Sequence, residues 1–412
     1  MIWLVIGSIV PSLLICLGCG YVIRRYARSW DFVDQPSLRK DHASPTPTSG
    51  GVAIWAGVVG ALLLGQFALN LAFDSVVKSN PRTTSANEFG NSYDGPPRPS
   101  PTSDSGQSTT SHVREFIQPH LVGLRQQSGK LWTLLTAASL LMLLGLADDR
   151  LSLDWRLRLL TQFLVAGFLV IKGWQLSAFI PLPWLAGALS VLWLVAVINT
   201  FNMLDNMDGL SAGVAAIAAT ILAAVILTAP DPITKGPQLF VGGFLLVVVG
   251  SLLGFLWHNR PPARLFMGDA GSYFVGFCLG AATISATFAG EGLPKHAILA
   301  PLCVLAVPFY DTVTVIWIRL REGRSPFHAD RNHISHRLVD LGLSKRQAVL
   351  VIYGATAICG TAAFFLHRTE TLGALLVLLF ILAVLAVIAM IELKARKQLA
   401  EPAAGQRSTG GR

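Results

Sequence analysis

The chain has 412 residues, of which 52% are hydrophobic and only 13% are charged. Soluble domains carry about 25% charged residues, so this composition excludes an ordinary soluble enzyme and indicates a membrane protein. The formal net charge of +9 would suit a nucleic acid. However, the basic residues are concentrated on one side of the predicted topology and orient the chain in the membrane. We therefore expect no nucleic-acid partner.

Long apolar stretches predict the transmembrane helices. Runs of about 20 apolar residues without charge are typical of transmembrane helices. The sequence contains eleven such runs, at 2–23, 51–73, 131–147, 157–173, 183–199, 209–229, 238–257, 270–288, 297–318, 347–367 and 371–391. The distribution of Lys and Arg places the N-terminus outside and the C-terminus in the cytoplasm. We predict an all-α, polytopic integral membrane protein, with one membrane domain over 1–393 and a basic cytoplasmic tail over 394–412.

Residues 74–130 interrupt this pattern. Most residues from Ser79 to His112 are Ser, Thr, Pro, Gly or Asn. Such a stretch cannot bury enough apolar surface to offset the entropy lost when it is ordered. We predict a disordered outer-loop insertion in the membrane domain, and we assign no chemistry to it.

Five polar segments carry the informative residues, at 34–51, 148–158, 199–209, 258–272 and 319–346. They follow the first, third, fifth, seventh and ninth predicted spans, so the predicted topology places all five on the cytoplasmic face. Because hydropathy, charge and polar clusters agree on one face, we expect binding or chemistry there. The first segment contains the basic turn Arg39-Lys40-Asp41-His42, which either contacts a phosphate or only supplies inside charge.

The second segment begins with Asp148-Asp149, directly after an apolar run. Two adjacent anions at a helix C-terminus oppose both each other and the helix dipole. The pair therefore needs a compensating cation, which is either Mg²⁺ or one of Arg150, Arg156 and Arg158. The alternative is a solvated loop with incidental acids.

The third segment contains Asn199, Asn202, Asp205 and Asp208, spaced by three and followed by Gly209. Three residues turn an α-helix by roughly 300°, so this row drifts by about 60° per step. The four side chains can share one site only if the helix ends or unwinds near Asp205, which Gly209 permits. Such a helix end can bind a nucleobase, a ribose or a hydrated metal; the alternative is capping and turn formation.

The fourth segment contains Phe266, Gly268, Asp269, Gly271 and Ser272, just before a predicted span. The glycines allow a close approach of the backbone, and a helix N-terminus favours phosphate. Asp269 beside such a site is a natural Mg²⁺ ligand, because Mg²⁺ is typically held by one or two carboxylates and by substrate phosphates. Phe266 can stack on a base. The alternative is N-capping by Asp269 or Ser272.

The fifth segment combines basic and histidine side chains, namely His328, Arg331, His333, His336 and Arg337. Arginine can clamp a phosphate with two hydrogen bonds, and histidine can donate to it or transfer a proton. A zinc site is disfavoured, because Asp330 is the only acid in this run, no Cys lies nearby and the spacing matches no common zinc pattern. A plain basic inside loop remains the alternative.

Tyr310-Asp311 lies within the ninth predicted span. An acid inside a membrane span is by default a functional hypothesis. A proton-coupled transporter would usually need several such groups and often an internal repeat, and the sequence offers little of either. The transporter is therefore kept as an alternative of a different class, beside a membrane scaffold that has lost activity.

The order of these motifs resembles one family. Asp-Asp, then Asn-x-x-Asn-x-x-Asp-x-x-Asp-Gly, then Phe-x-Gly-Asp-x-Gly-Ser and a His-rich loop are similar to the polyprenyl-phosphate N-acetylhexosamine-1-phosphate transferases. The resemblance covers nearly the whole chain except 74–130 and the C-terminal tail. The fifth segment resembles the WecA/TagO-type branch, which has a His-Ile-His-His core, and lacks the His-Phe-Glu feature of the peptidoglycan (MraY) branch. Ser335 stands where the WecA/TagO-type branch usually has His, and Asn206 stands where Gly is common after the preceding Asp.

The resemblance implies a role for each matched residue. It implies catalytic roles for Asp148, Asp149 and His333, and a site for Mg²⁺ or Mn²⁺ at Asp269 and Asp149. Substrate-binding roles are assigned to Asn199, Asn202, Asp205, Asp208, Phe266, Arg158, Arg331, His336 and Arg337, with Phe266 near the uracil and Arg337 near a phosphate.

The expected reaction follows from the same resemblance. It is the transfer of GlcNAc-1-phosphate from UDP-GlcNAc to undecaprenyl phosphate, with release of UMP, to start a cell-envelope polysaccharide such as O-antigen, lipopolysaccharide or teichoic acid. A lipid phosphate and a cytosolic UDP-sugar can meet only at the inner face of the bacterial cytoplasmic membrane. Transfer of phospho-MurNAc-pentapeptide is the alternative within the family. We favour direct attack over a covalent aspartyl intermediate, and the family also implies a homodimer.

Overall fold

The computed structural model of the chain describes residues 1–27, 29–30, 33–34, 45–78, 127–176, 182–229, 236–286, 288, 294–327 and 330–407. This part of the chain is mostly helical, as predicted. The α-helices within it are α1 (Ile2–Tyr26), α2 (Gly50–Lys78), α3 (Ser128–Leu151), α4 (Trp155–Ile171), α5 (Pro183–Leu204), α6 (Leu210–Thr228), α7 (Leu239–Asn259), α8 (Gly268–Ser285), α9 (Ala300–Val304), α10 (Ala306–Arg321), α11 (Ile334–Asp340), α12 (Lys345–Leu366) and α13 (Thr371–Arg407).

Two short strands and one 3₁₀ helix complete the described elements. β1 (Val33–Asp34) pairs antiparallel with β2 (Thr46–Pro47), with Val33 opposite Pro47. The 3₁₀ helix Lys295–Leu299 precedes α9. The strands hold two residues each, so they leave the predicted helical class intact.

Several helices are long and apolar enough to cross a membrane. Within the described residues there are eight, α1, α2, α3, α5, α6, α7, α12 and α13, or nine if the bent pair described below counts as one span. The predicted spans 157–173 and 270–288 correspond to α4 and α8, which have 17 and 18 residues and are not among these. The chain is a multi-pass membrane protein, while the count of eleven and the orientation of the termini stay predictions.

The predicted span 297–318 is not one straight helix. The 3₁₀ helix and α9 meet α10 with a bend of 67°. Pro308 lies in the first turn of α10, where a missing backbone N–H costs nothing, but its ring would clash with a continuous helix before it. A break before proline is therefore the physical reason for the correction.

Several predicted boundaries also need correction. α2 continues to Lys78 and α3 begins at Ser128, so both ends of the predicted insertion 74–130 are helical, and residues 79–126 lie outside the described part. The predicted tail continues α13 as far as Arg407. The chain divides into two compact units, Leu62–Trp132 and Met1–Ala61 with Thr133–Arg412. Everything described below belongs to the latter.

α8 occupies the interior of its unit. Its side chains are buried continuously from Ala270 to Ile284. It packs against α5 across Gly276, where a Cβ atom would lie 2.8 Å from Ile198 Cα. Small residues at a helix contact let two backbones approach closely. This packing sets the C-terminal end of α5 beside the N-terminal end of α8, and the polar residues at those two ends form one site.

Candidate active site

The five polar segments meet in one cleft of about 610 Å³. Thr48 represents the first segment, and each of the other four contributes at least two residues. The convergence predicted from the sequence is therefore confirmed. The lining includes Asp148, Asp149, Asn202, Asp205, Asp208, Phe266, Asp269, Arg331 and His336 from the predicted set, together with Asn206, Asn259 and Lys345. The basic turn at residues 39–42 and His328 lie outside the described residues.

Asp148 is a buried anchor at the wall of the cleft. One carboxylate oxygen accepts from Leu153 N at 2.9 Å. The other accepts from Arg158 Nη1 and from Tyr273 Oη, each at 2.9 Å. Arg158 is therefore the compensating cation that the adjacent acids required. Its guanidinium is bound to Asp148, and Arg158 is not among the residues that line the cleft.

Asp149 joins α3 to the N-terminus of α8. Its two carboxylate oxygens accept from the backbone N–H groups of Asp269 and Ala270, at 2.8 and 3.2 Å. A negative charge at a helix N-terminus is stabilising because it faces unpaired N–H groups and the positive end of the helix dipole. Gly145, one turn earlier in α3, makes room for this contact, since a Cβ there would lie 2.4 Å from Ala270 N.

Asn202 orients Asp269. Its Nδ2 donates to Asp269 Oδ1 at 2.5 Å and to Ser272 Oγ at 3.1 Å. Asn202 belongs to the last turn of α5, and Asp269 to the first turn of α8. The amide therefore fixes the carboxylate at the point where the two helix ends meet.

α5 ends where the three-residue spacing required it to end. The helix stops at Leu204, and Gly209 turns the chain into α6 with φ +76°. Asp205 and Asp208 face the cleft from this turn, and Asp208 Oδ2 accepts from Ala263 N at 2.9 Å. Burial, followed by the charges of Asp269 and Asp208, raises the pKa of Asp205 to about 7. Carboxylates crowded in this way are stabilised by a bound cation.

Asn199 does not reach the cleft. Its Nδ2 donates to Gln162 Oε1 of α4 at 2.6 Å and to Val195 O at 2.8 Å. The helix is still intact at this residue, so the 60° drift per step turns Asn199 away from Asp205 and Asp208. The structure thus separates Asn199 from the binding residues with which it was predicted to act.

Asn259 holds two loops of the site and was missed by the sequence analysis. It is buried, its Oδ1 accepts from Gly209 N at 2.8 Å, and its Nδ2 donates to Leu265 O at 2.9 Å. The only sequence signal is its position, at the end of an apolar span and the start of a polar segment. That position is shared by many capping residues, so the pattern alone does not single it out.

Phe266 is positioned through its backbone by the first polar segment. Its N–H donates to Pro47 O at 2.8 Å, and its carbonyl accepts from Gly50 N at 3.0 Å. Gly268 follows with φ +69°, a conformation that glycine adopts without strain. These contacts bring the Phe266 side chain to the cleft and start α8 directly after it.

The segment between α10 and α11, here called the basic loop, is joined to α10 by a buried ion pair. Arg319 of α10 is 4% exposed and binds both oxygens of Asp330, at 3.0 and 3.2 Å. Burial alone would raise the pKa of Asp330, but hydrogen bonds from Arg319 and Asn332 outweigh it and hold the pKa below its usual value. The pair fixes the loop ends and places Arg331 and His336 at the cleft. Lys345, at the start of α12, adds a third basic group that the sequence analysis missed.

Two further basic residues of the fifth segment, His333 and Arg337, are buried. His333 is 5% exposed and its Nδ1 lies 2.8 Å from Asp311 Oδ2. Arg337 is also buried and lies 3.1 Å from Glu392 of α13. Neither residue lines the cleft, so the structure does not bring them together with the other predicted site residues.

The sequence is similar to known proteins over most of its length. The sequence model of glycosyl transferase family 4 matches residues 131–287. A probable undecaprenyl-phosphate N-acetylglucosaminyl 1-phosphate transferase from Bacillus subtilis is 30% identical, over 92% of this chain and 89% of the relative. The chain belongs to the polyprenyl-phosphate N-acetylhexosamine-1-phosphate transferase family.

Other members of the family also match most of the chain. A decaprenyl-phosphate N-acetylglucosaminephosphotransferase from Mycolicibacterium smegmatis is 30% identical, over 89% of this chain and 84% of the relative. An undecaprenyl-phosphate alpha-N-acetylglucosaminyl 1-phosphate transferase from Yersinia pestis is 25% identical, over 85% and 81%. The matches thus extend over the cleft-forming segments and far beyond them.

The donor set of this transferase fits a hard divalent cation. Within the described residues, no group of three or more His, Cys, Asp and Glu side chains is arranged to hold a metal ion on its own. The cleft instead offers carboxylate oxygens from Asp149, Asp205, Asp208 and Asp269. Mg²⁺ is usually bound by one or two carboxylates, waters and substrate phosphates. The side chains present fit such an ion when it binds together with a diphosphate.

The two departures from the family pattern contact each other. The hydroxyl of Ser335, which is fully buried, donates to Asn206 Oδ1 at 2.5 Å. Asn206 belongs to the turn between α5 and α6, which also carries Asp205 and Asp208, and Ser335 belongs to α11. The bond therefore links this acidic turn to α11. A larger side chain at position 335 would meet Asn206, whereas glycine at position 206 would leave room for it.

We therefore expect the two positions to be coupled. Ser335→His alone should destabilise the protein by about 1–3 kcal/mol through overpacking, and Ser335→His with Asn206→Gly should recover most of that loss. Thermal unfolding of the four proteins in detergent measures the effect. Independent costs, in which the double variant loses the sum of the single variants, would contradict this coupling.

Proposed function

We propose that this protein transfers GlcNAc-1-phosphate from UDP-GlcNAc to undecaprenyl phosphate and releases UMP, as the first step of a cell-envelope polysaccharide. The observation that carries the proposal is the convergence of five distant polar segments in one cleft, whose lining combines carboxylates with Arg331, His336 and Lys345. A diphosphate with a bound cation needs both kinds of group. The names of the relatives support the same reaction.

The location follows from the substrates. A polyprenyl phosphate keeps its chain in the lipid and its phosphate at the interface, while a UDP-sugar is soluble in the cytosol. The cleft therefore opens on the cytoplasmic face of the inner membrane. The excess of Lys and Arg in the loops that carry the five segments supports this orientation. By family resemblance we also propose that the protein works as a homodimer.

The chain's own residues divide the work of the transfer. An oxygen of the lipid phosphate forms a bond to the β-phosphorus, while the bond from that phosphorus to the bridging oxygen breaks and the oxygen leaves on UMP. Asp269, supported by Asn202 and with Asp149 behind it, would hold Mg²⁺ or Mn²⁺. When bound, the ion neutralises charge on the diphosphate. Arg331, His336 and Lys345 bind phosphate oxygens, and Phe266 stacks on the uracil.

The hydrogen bonds of the aspartate pair support direct attack. Both oxygens of Asp148 are bound, to Leu153 N, Arg158 and Tyr273. Both oxygens of Asp149 accept from the first N–H groups of α8. A carboxylate that forms a covalent intermediate must give up such contacts to reach phosphorus. These acids are better suited to hold the site together than to attack the β-phosphorus.

Transfer assays with different UDP-sugar donors and lipid phosphate acceptors test the proposal. Purified protein in detergent, with Mg²⁺ and undecaprenyl phosphate, should move label from UDP-[¹⁴C]GlcNAc into the organic phase. UDP-MurNAc-pentapeptide should give no lipid product, and decaprenyl phosphate serves as a second acceptor. Transfer from the pentapeptide donor alone would replace the proposed substrate with that of the peptidoglycan branch. Folded protein that is inactive with every UDP-N-acetyl sugar would contradict the proposal.

A further inference from the structure

Asp311 lies inside the bundle, away from the cleft lining, and yet holds the basic loop. It belongs to α10 and is 1% exposed. Its Oδ2 lies 2.8 Å from His333 Nδ1, and its Oδ1 accepts from Ile334 N at 2.6 Å. Both oxygens are therefore committed to the start of α11. A buried carboxylate is costly unless it is paired in this way.

Other charged groups surround this pair. Arg337 Nη2 of α11 lies 3.8 Å from Asp311 Oδ1 and 3.1 Å from Glu392 Oε1 of α13. Tyr310 of α10 donates its hydroxyl to Glu392 Oε2 at 3.0 Å. These contacts join α10, α11 and α13 around the pair formed by Asp311 and His333.

We propose that Asp311 is a positioning residue for His333, which it holds by Nδ1 so that Nε2 is the nitrogen that exchanges a proton with a substrate phosphate. This inference rests on the proposed transferase function. The two ring nitrogens of histidine are distinct, and the hydrogen bond made by one decides the role of the other. With Asp311 accepting from Nδ1–H, the Nε2 lone pair is free to act as a base.

The proton transfer can be written completely. A monoanionic lipid phosphate gives its proton to Nε2 and becomes a dianion, which is the better nucleophile for the β-phosphorus. His333 becomes an imidazolium, and Asp311 stabilises it. An aspartate that orients a histidine in this manner does not itself take the proton. His333 is the N-cap residue of α11, and His336 in the first turn of that helix lines the cleft, which places His333 one helical turn from a cleft residue.

Asp311→Asn tests the inference, because it removes the carboxylate charge and keeps the shape of the side chain. The Asn oxygen still accepts from Ile334 N, so the amide nitrogen faces His333 Nδ1. This nitrogen can only donate, so Nδ1 must accept and its proton moves to Nε2. We expect kcat to fall on the order of 10²-fold or more, with KM changed by less than about threefold, since the wrong tautomer removes base catalysis and leaves binding intact. The matched control is the neighbouring Tyr310→Phe, which removes a bond to Glu392 and none to His333; its kcat should stay within about twofold of wild type.

A spectroscopic measurement tests the same point without relying on activity. Nitrogen-15 spectra of protein with labelled histidine, at a pH where the ring is neutral, should show the His333 proton on Nδ1, with the signal assigned by its loss in His333→Gln. Asp311→Asn should move that proton to Nε2. A wild-type Nε2–H tautomer, or an Asp311→Asn variant with wild-type kcat, would overturn the proposal. Wild-type protein without transfer activity would instead refute the proposed function, and the tautomer would then decide the role of Asp311 alone.

Discussion

Replacing Asp269 by Asn is expected to reduce phosphosugar transfer by about 10³-fold or more, because the loss of a bound divalent cation removes several kcal/mol of charge stabilisation. The new side-chain amide would keep an acceptor oxygen for Asn202, whose Nδ2 donates to Asp269 Oδ1 at 2.5 Å. The substitution therefore removes charge and preserves shape. Initial rates at saturating UDP-GlcNAc and lipid measure the loss, and Mn²⁺ binding followed by electron paramagnetic resonance reports the cation directly.

Asp154→Asn is the matched control for that experiment. Asp154 caps α4 by accepting from Arg156 N at 2.8 Å, is exposed, and does not line the cleft. Asparagine is an equally good N-cap, so the variant should keep both its stability and its rate. An Asp269→Asn protein that transfers sugar at the rate of Asp154→Asn, or binds Mn²⁺ as tightly, would remove Asp269 from the proposed metal site.

Gly145→Ala is expected to damage the site from within the helix bundle. A Cβ at this position would lie 2.4 Å from Ala270 N and 2.4 Å from the carbonyl carbon and oxygen of Asp269. These are backbone atoms, so α3 or the start of α8 must move and the hydrogen bonds of Asp149 must lengthen. We expect a loss of stability of about 1–3 kcal/mol, typical of overpacking. Transfer should fall on the order of 10²-fold, because an ångström of misplacement is costly at an active site.

Gly167→Ala is the matched control for Gly145→Ala, because it adds the same methyl group at a position without crowding. Gly167 lies in α4, and a Cβ there would meet no atom within 4 Å. Alanine is the better helix former, so the variant should be as stable as wild type or more stable by about 0.5–1 kcal/mol. Thermal unfolding and transfer rates of the two variants give the comparison. Equal behaviour of Gly145→Ala and Gly167→Ala would show that α3 and α8 are not in close contact.

The sequence predicted the existence of the helices better than their ends. Apolar runs identify the membrane-crossing segments because burial in lipid demands about 20 such residues. They do not reveal where a helix continues into polar residues, as α13 does to Arg407 and α2 to Lys78. They also hide the 67° bend before α10, where Pro301 and Pro308 lie within an apolar run. Helix-breaking residues needed more weight than hydropathy at that span.

Sequence patterns also located the site better than the partners of its residues. Helical periodicity fixes the direction of a side chain about its own helix, which explains why Asn202 and Asn199 could be separated only once the end of α5 was known. It says nothing about neighbouring helices. The pairing of Asp148 with Arg158 was among the predicted choices, whereas the pairing of His333 with Asp311 depends on how α10 packs beside α11 and could not be predicted.

The position of a radioactive phosphorus atom tests the central claim most directly. The protein in detergent, with Mg²⁺ and undecaprenyl phosphate, would receive UDP-GlcNAc labelled with ³²P at the β-phosphate. Transfer of a phosphosugar predicts that ³²P enters the organic phase in a one-to-one ratio with released UMP. Label that stays in the aqueous phase as UDP, while only the sugar reaches the lipid, would identify ordinary glycosyl transfer and contradict the account.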